Sequence, residues 1–271
     1  MTVTTRRRDE VPEVLRAYSP RLAGFFATWL HGYFARQFDA VRTAGPGRSV
    51  LARTDAPILV CTNHPSWWDP IHFLLLARRL RPDGPMFGPF DAEALKQYGF
   101  FRRIGGFGVD ATTRRGAADF LRTSTAILER PDASLWITAQ GEFSDPRQRP
   151  IVLRPGVAHL ARRLDRGIVL PVAVEYPFWD ERRPEALSYV GEPVELSATD
   201  EPTTDAWSER LTEGLEHAMD RLGALARTRD PEAFETLVLG RTGVGGVYDA
   251  WRRFAALARG RAFQASHGAR R

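Results

Sequence analysis

The chain has 271 residues, 43% of them hydrophobic, which is enough for one large domain or one domain with helical additions. Its formal charge of +5 rests almost wholly on arginine, Lys96 being the sole lysine, and suits an anionic membrane face, an acidic carrier or nucleotide phosphates. A single cysteine, Cys61, excludes an intramolecular disulfide framework and a cysteine-based zinc site, and fits a reducing compartment.

Residues 1–11 read as disordered, with a basic tip at Arg6-Arg7-Arg8. Thr4 to Glu13 is strongly polar and shows no secretory-leader pattern. Val14 to Phe38 reads as helix, broken near Ser19-Pro20. Its second half carries Phe25, Phe26, Trp29, Leu30, Tyr33 and Phe34 between basic ends at Arg21 and Arg36. Two readings stand side by side: a core helix, or a helix lying in a membrane interface. Leu22 to Phe34, the longest nearly uncharged apolar stretch, falls short of the roughly 20 residues that span a bilayer. A soluble or peripheral protein is expected, and Ala44-Gly45-Pro46-Gly47 marks a boundary.

From residue 48 to 200, short apolar runs alternate with helical patterns. Strands are predicted at Ile58 to Thr62, Pro85 to Phe90, Phe107 to Asp110, Ser134 to Thr138, Ile168 to Glu175 and Leu187 to Val190. Helices are predicted at Ile71 to Leu80, Ala92 to Tyr98, Arg115 to Glu129 and Gly156 to Leu164. The alternation predicts an α/β fold, a mostly parallel mixed sheet flanked by helices. Beyond residue 200, Thr204 to Ala226 is a charged amphipathic helix. Val247 to Phe263 is a basic amphipathic one that either docks on the core or lies on a membrane. The expected organisation is an N-terminal helical segment (1–45), an α/β core (46–200) and a C-terminal helical segment (201–271).

The chemistry concentrates in Asn63-His64-Pro65-Ser66-Trp67-Trp68-Asp69-Pro70, which follows the first predicted strand of the core. His64 is the best candidate general base in the chain, because an imidazole titrates near pH 6.5. Asp69 could fix its tautomer and stabilise the imidazolium. A backbone N–H near Gly141, in Thr138-Ala139-Gln140-Gly141, could meet a developing oxyanion. Two other readings of the motif remain open. Asp69-Pro70 also makes a helix N-cap followed by proline. His64, Asp69 and His72 could together ligate a metal, although no further acidic or histidine cluster supports that. Cys61 reads as a small buried apolar residue, not a nucleophile.

The motif resembles the N-H-x-x-x-x-D block of the glycerolipid acyltransferase family, the lysophosphatidic acid acyltransferase-like proteins, and further blocks follow in family order. Phe100-Phe101-Arg102-Arg103-Ile104-Gly105-Gly106-Phe107-Gly108-Val109-Asp110 is similar to the second block. Leu135-Trp136-Ile137-Thr138-Ala139-Gln140-Gly141-Glu142-Phe143-Ser144 aligns with the third, F-P-E-G-T-R-S. Arg154-Pro155-Gly156-Val157 resembles the helix start that follows, and Leu170-Pro171-Val172-Ala173-Val174 the fourth block. The likeness covers roughly residues 48 to 195.

The resemblance implies acyl transfer from acyl-CoA or acyl-carrier protein to a lipid hydroxyl, of lysophospholipid or glycerol phosphate type or on a phosphate-free glycolipid. It implies His64 as base, Asp69 as its partner, no metal, no cofactor beyond the acyl co-substrate, and no covalent acyl-enzyme. Asn63, Ser66, Trp67, Trp68, Gln140 and Gly141 are expected to line the substrates, and Arg102 and Arg103 to meet carrier phosphates. The third block departs from the family at two places. Gln140 stands where the family has Glu, and Phe143 stands where it has the Arg thought to bind an acceptor phosphate. Phe143 cannot pair with phosphate, so either the acceptor lacks one or Arg147 and Arg149 take over. The expected setting is cytoplasmic, peripheral on the inner face of the cell membrane, with no nucleic-acid partner. A thioester hydrolase using the same pair, or a non-catalytic lipid-binding protein, are the alternatives.

Overall fold

The structure, a computed structural model, describes residues 11–196 and 203–240; the predicted helix Val247 to Phe263 lies outside them. In chain order the elements are α1 (Glu13–Ala17), α2 (Pro20–Gln37), β1 (Ala40–Ala44), α3 (Arg48–Leu51), β2 (Ile58–Thr62), α4 (Asp69–Leu80), β3 (Met86–Asp91), α5 (Ala92–Gln97), β4 (Gly106–Val109), α6 (Arg114–Leu128), β5 (Ser134–Thr138), α7 (Pro155–Ala161), β6 (Gly167–Glu175), β7 (Ala186–Val190), β8 (Val194–Leu196), α8 (Thr204–Thr228) and β9 (Glu235–Leu239). Short 3-10 turns occupy Gly99–Ile104 and Pro231–Ala233.

One mixed sheet runs β4-β3-β5-β2-β6-β7-β1-β9, with β8 on the same edge of β6 as β7. It is mostly parallel: the ladders joining β4, β3, β5, β2 and β6, and that of β1 with β7, are parallel, and the pairings of β6 with β7 and β8 and of β1 with β9 are antiparallel. The central strand β2 shows why. Ile58-Leu59-Val60-Cys61-Thr62 is apolar on both faces, as a strand covered by helices on both sides must be. Leu59 and Cys61 join the core under α6, α7 and α8, while Ile58 and Val60 join the core under α4. Burial pushes the Cys61 thiol up to about 12, which agrees with its reading as packing.

The register matters for function. Thr62 is level with Thr138 of β5 and Val172 of β6, so β2 and β5 end together and β6 runs on to Glu175 beside them. The segments leaving their carboxyl ends meet there, at the end of the sheet where open α/β folds place their ligands.

The helix break predicted at Ser19-Pro20 is real: α1 ends at Ala17, and Ser19 Oγ accepts the Leu22 N–H at the start of α2. Spacing on α2 puts Ala23, Ala27, Leu30 and Phe34 inward and leaves Phe25 and Trp29 exposed. Both readings of this helix therefore keep a physical basis. Strands β1 and β9 were not expected. They lie within the segments read as helical, 1–45 and 201–271, and each hydrogen-bonds into the sheet. The polar look of Ala-Val-Arg-Thr-Ala hides β1, because the buried Arg42 is neutralised inside the fold. Its Nε lies 3.0 Å from Glu185 Oε2, and its Nη1 donates to Thr236 Oγ1 on β9.

Candidate active site

At the end of β2 the chain turns out of the sheet, and Asn63 fixes the turn. Its Nδ2 donates to the Val174 carbonyl at 2.9 Å, and its Oδ1 accepts the Val174 N–H at 2.8 Å. This side chain mimics a strand and ties the ends of β2 and β6 together. Asn63 is thus buried and committed to the backbone, away from any substrate face.

His64 follows. Its Nδ1 lies 2.7 Å from Asp69 Oδ2. The backbone of His64 is held on both sides: its N–H donates to Gln140 Oε1 at 3.1 Å, and its carbonyl accepts the Ser144 N–H at 2.9 Å. The Glu-to-Gln departure in the third block therefore preserves an acceptor for His64. Among the described residues nothing hydrogen-bonds His64 Nε2, and its side chain is 17% exposed. With Asp69 accepting the Nδ1 proton, the imidazole lone pair lies on Nε2.

Asp69 is the first residue of α4, but it caps nothing. Trp68 is the N-cap, without a side-chain bond. The Asp69 carboxylate instead accepts from His64 Nδ1, from the Ser66 N–H at 3.0 Å and from the Tyr176 hydroxyl at 2.8 Å. The capping reading fails because the motif folds back on itself: the Trp68 N–H donates to Ser66 Oγ, and the Asp69 N–H to the Ser66 carbonyl. That turn aims the carboxylate at His64 and not along the helix axis.

No group able to hold a metal ion occurs among the described residues. His72, the third member of the metal alternative, turns the other way, with its Nδ1 3.1 Å from the Tyr176 hydroxyl. Burial lowers its pKa to about 3 from an unfolded value near 6.5. Between those values the unfolded chain binds a proton that the native chain refuses. The associated stability is full above pH 6.5 and is lost as pH falls toward 3, with a slope of at most about 1.4 kcal/mol per unit. His72→Leu is therefore expected to lose stability less steeply than the wild type between pH 6.5 and 4, measured by urea unfolding at several pH values.

The loop after β5 closes over the pair. Ala139 N–H donates to the Thr62 carbonyl, and Arg154 N–H to the Ala139 carbonyl, so both ends are pinned. Gly141 has φ 71°, a left-handed conformation suited to glycine, and a Cβ there would press on the Arg154 side chain. The Gly141 N–H donates to Thr138 O, and the Ser144 N–H to His64 O. The N–H groups of Gln140, Glu142 and Phe143 in this turn have no partner among the described residues. The Phe143 ring, 62% exposed, tilts over the imidazole at a centroid distance of 4.4 Å.

The other predicted site residues divide. Trp67 is 69% exposed at the rim, whereas Trp68 packs on Phe34 and Phe38. Arg147 makes a two-point pair with Asp145, and Arg149 reaches Asp220 of α8 at 2.6 Å, so both guanidinium groups are already matched to carboxylates. The turn bearing Arg102 and Arg103 sits against α1 and α2: Arg102 Nη1 lies 3.4 Å from Glu13, and the Arg103 carbonyl accepts the Ser19 N–H. Tyr176 is the residue that sequence reasoning missed. A faint signal was present, since it follows β6 as His64 follows β2.

The chain matches the family model described as Acyltransferase over residues 47–175. Its fold is similar to the crystal structure of the 1-acyl-sn-glycerophosphate (LPA) acyltransferase PlsC from Thermotoga maritima. The TM-score is 0.50 at 16% identity, over 78% of this chain and 80% of that one. No curated protein sequence matches the chain.

Proposed function

We propose that this protein transfers a fatty acyl group from an acyl thioester to the hydroxyl of a lipid acceptor, with His64 as general base. The observation that carries the reading is the 2.7 Å contact of His64 Nδ1 with a fully buried Asp69, while Nε2, on a side chain 17% exposed, has no hydrogen-bond partner among the described residues. Nε2 takes the acceptor's hydroxyl proton while the oxygen attacks the thioester carbonyl. The tetrahedral oxyanion collapses, the C–S bond breaks, and the imidazolium returns the proton to the leaving thiolate. The unpartnered amides of the turn, those of Gln140, Glu142 and Phe143, are the donors we assign to the oxyanion. Acyl-CoA and acyl-carrier protein both present such a thioester.

The loop chemistry favours a phosphate-free acceptor such as a glycolipid over a lysophospholipid, because Phe143 faces His64 and Arg147 and Arg149 already have carboxylate partners. The acceptor is drawn from a membrane surface. Phe25, Trp29, Trp67 and Phe100 are exposed, and ring contacts lead from Phe26 through Trp29 and Tyr33, which stack, to a tilted Trp68 of the motif. Among the described residues no helix is long and apolar enough to cross a bilayer, which suits attachment to the inner face of the cell membrane by this aromatic surface.

The test offers palmitoyl-CoA or palmitoyl-carrier protein together with lysophosphatidic acid, a lysophospholipid or a phosphate-free glycolipid, each dispersed in anionic vesicles or presented as monomer. Acylated acceptor is expected in one-to-one ratio with released thiol, fastest with the glycolipid in vesicles. Thiol release matched only by free fatty acid identifies a hydrolase and overturns the reading.

A further inference from the structure

Behind the His64–Asp69 pair lies a second line of contacts that proton transfer to Nε2 does not itself demand. Tyr176 Oη stands 2.8 Å from Asp69 Oδ1 and 3.1 Å from His72 Nδ1. A phenol has one proton to give. Asp69 Oδ2 already accepts from His64 and from the Ser66 N–H, and an ionised carboxylate can only accept, so the phenol proton goes to Oδ1. The opposite direction would set two lone pairs against each other across 2.8 Å in a buried site.

His72 must then donate to the phenol oxygen through Nδ1–H and leave Nε2 bare. That Nε2 is buried and has no partner among the described residues. The hydrogen bonds form a one-way chain, His72 to Tyr176 to Asp69, and burial favours the neutral forms of its two donors. It lowers the His72 pKa and raises that of Tyr176 well above 10. Among the described residues, the titratable groups hydrogen-bonded to Asp69 are His64 and Tyr176, and those bonded to Tyr176 are Asp69 and His72. The geometry has a sequence basis. Asn63 locks Val174, and two residues later Tyr176 leaves β6 beside the start of α4.

We infer that Tyr176, oriented by His72, is a positioning residue that holds Asp69 in one rotamer and takes up part of its negative charge, thereby setting how strongly His64 draws a proton. The inference rests on the general-base reading of His64 and adds to it a control on basicity. Removing the phenol proton leaves more of the Asp69 charge facing His64, which then binds its second proton more tightly.

Tyr176→Phe deletes only the hydroxyl. With palmitoyl-CoA as donor, its kcat is expected to fall about tenfold, the loss of one hydrogen bond to a charged group. KM for the thioester changes less than about twofold, because the hydroxyl faces Asp69 and not the substrate. The acid limb of kcat/KM moves up by about half a pH unit. A second measurement needs no turnover. The imidazole resonances of His64, assigned by their absence in His64→Gln, titrate at higher pH in Tyr176→Phe than in the wild type. His72→Leu shows the same direction of change, and His72→Asn, which keeps a donor at the Nδ1 position, recovers most of the lost rate.

A folded Tyr176→Phe protein with wild-type kcat and unchanged His64 titration overturns the inference. If Tyr176→Phe does not fold, the His72→Leu and His72→Asn pair decides it on the same two readouts. Undiminished transfer by His64→Ala sinks the general-base reading instead, and the imidazole titration still reports whether Tyr176 acts on the pair.

Discussion

His64→Ala is expected to lower acyl transfer about a thousandfold at neutral pH while leaving the fold intact. The side chain is partly exposed, and its backbone anchors to Gln140 and Ser144 do not involve the imidazole. Deletion therefore removes the proton acceptor without opening a core cavity. Asp69→Asn should fall short of that loss. Tyr176 can still donate to the amide oxygen, but the carboxylate that stabilises the imidazolium is gone. Rates of acylated product, compared at matched protein with thermal unfolding as the control, check both variants. A His64→Ala rate within tenfold of wild type would exclude His64 as the base.

The second large effect lies at the opposite end of the sheet and concerns stability. Arg81→Ala is expected to destabilise the protein by about 3–5 kcal/mol, read by urea unfolding. Arg81 is buried to 1% exposure at the end of α4, and its guanidinium donates to the carbonyls of Leu51, Ala56, Pro131 and Asp132. These carbonyls belong to the segments that enter β2 and β5 from below. Removing Arg81 leaves them without their donors in a place where its long side chain excluded water. Arg81→Lys should recover only part of the loss, since an ammonium cannot reproduce a planar fork of five donors. Activity should follow stability in these variants, because Arg81 lies at the far end of α4 from Asp69.

How much of this was legible in the sequence depends on which force placed each residue. Runs such as Ile58 to Thr62 and Ile168 to Glu175 announced themselves, since strands buried on both faces are apolar throughout. The His64–Asp69 pair was legible because its parts lie five positions apart in one motif, with a proline-led turn to fold them together. β1 and β9 were not, because Arg42 looks like surface until Glu185, 143 positions later, is known to meet it. Tyr176 was hidden for the same reason: its partner Asp69 is 107 positions away, and only the parallel register of β2 and β6 brings them together. The fate of Arg149 was equally invisible, being settled by Asp220 on a helix that the loop meets only after folding, whereas Arg147 pairs with Asp145 two positions before it. Local chemistry could be read from sequence, whereas long-range electrostatic pairing could not.

The clamp that Asn63 makes on Val174 has a kinetic corollary. His64 and Tyr176 reach Asp69 from adjacent strands whose ends are bound by that one amide, so the reactive geometry exists whenever the middle of the sheet exists. Assembly of the base and assembly of the sheet centre are a single cooperative event. On the general-base reading proposed above, no separate hinge closure is needed to bring His64 to Asp69, and inactivation by heat or denaturant should coincide with melting of the central strands instead of preceding it.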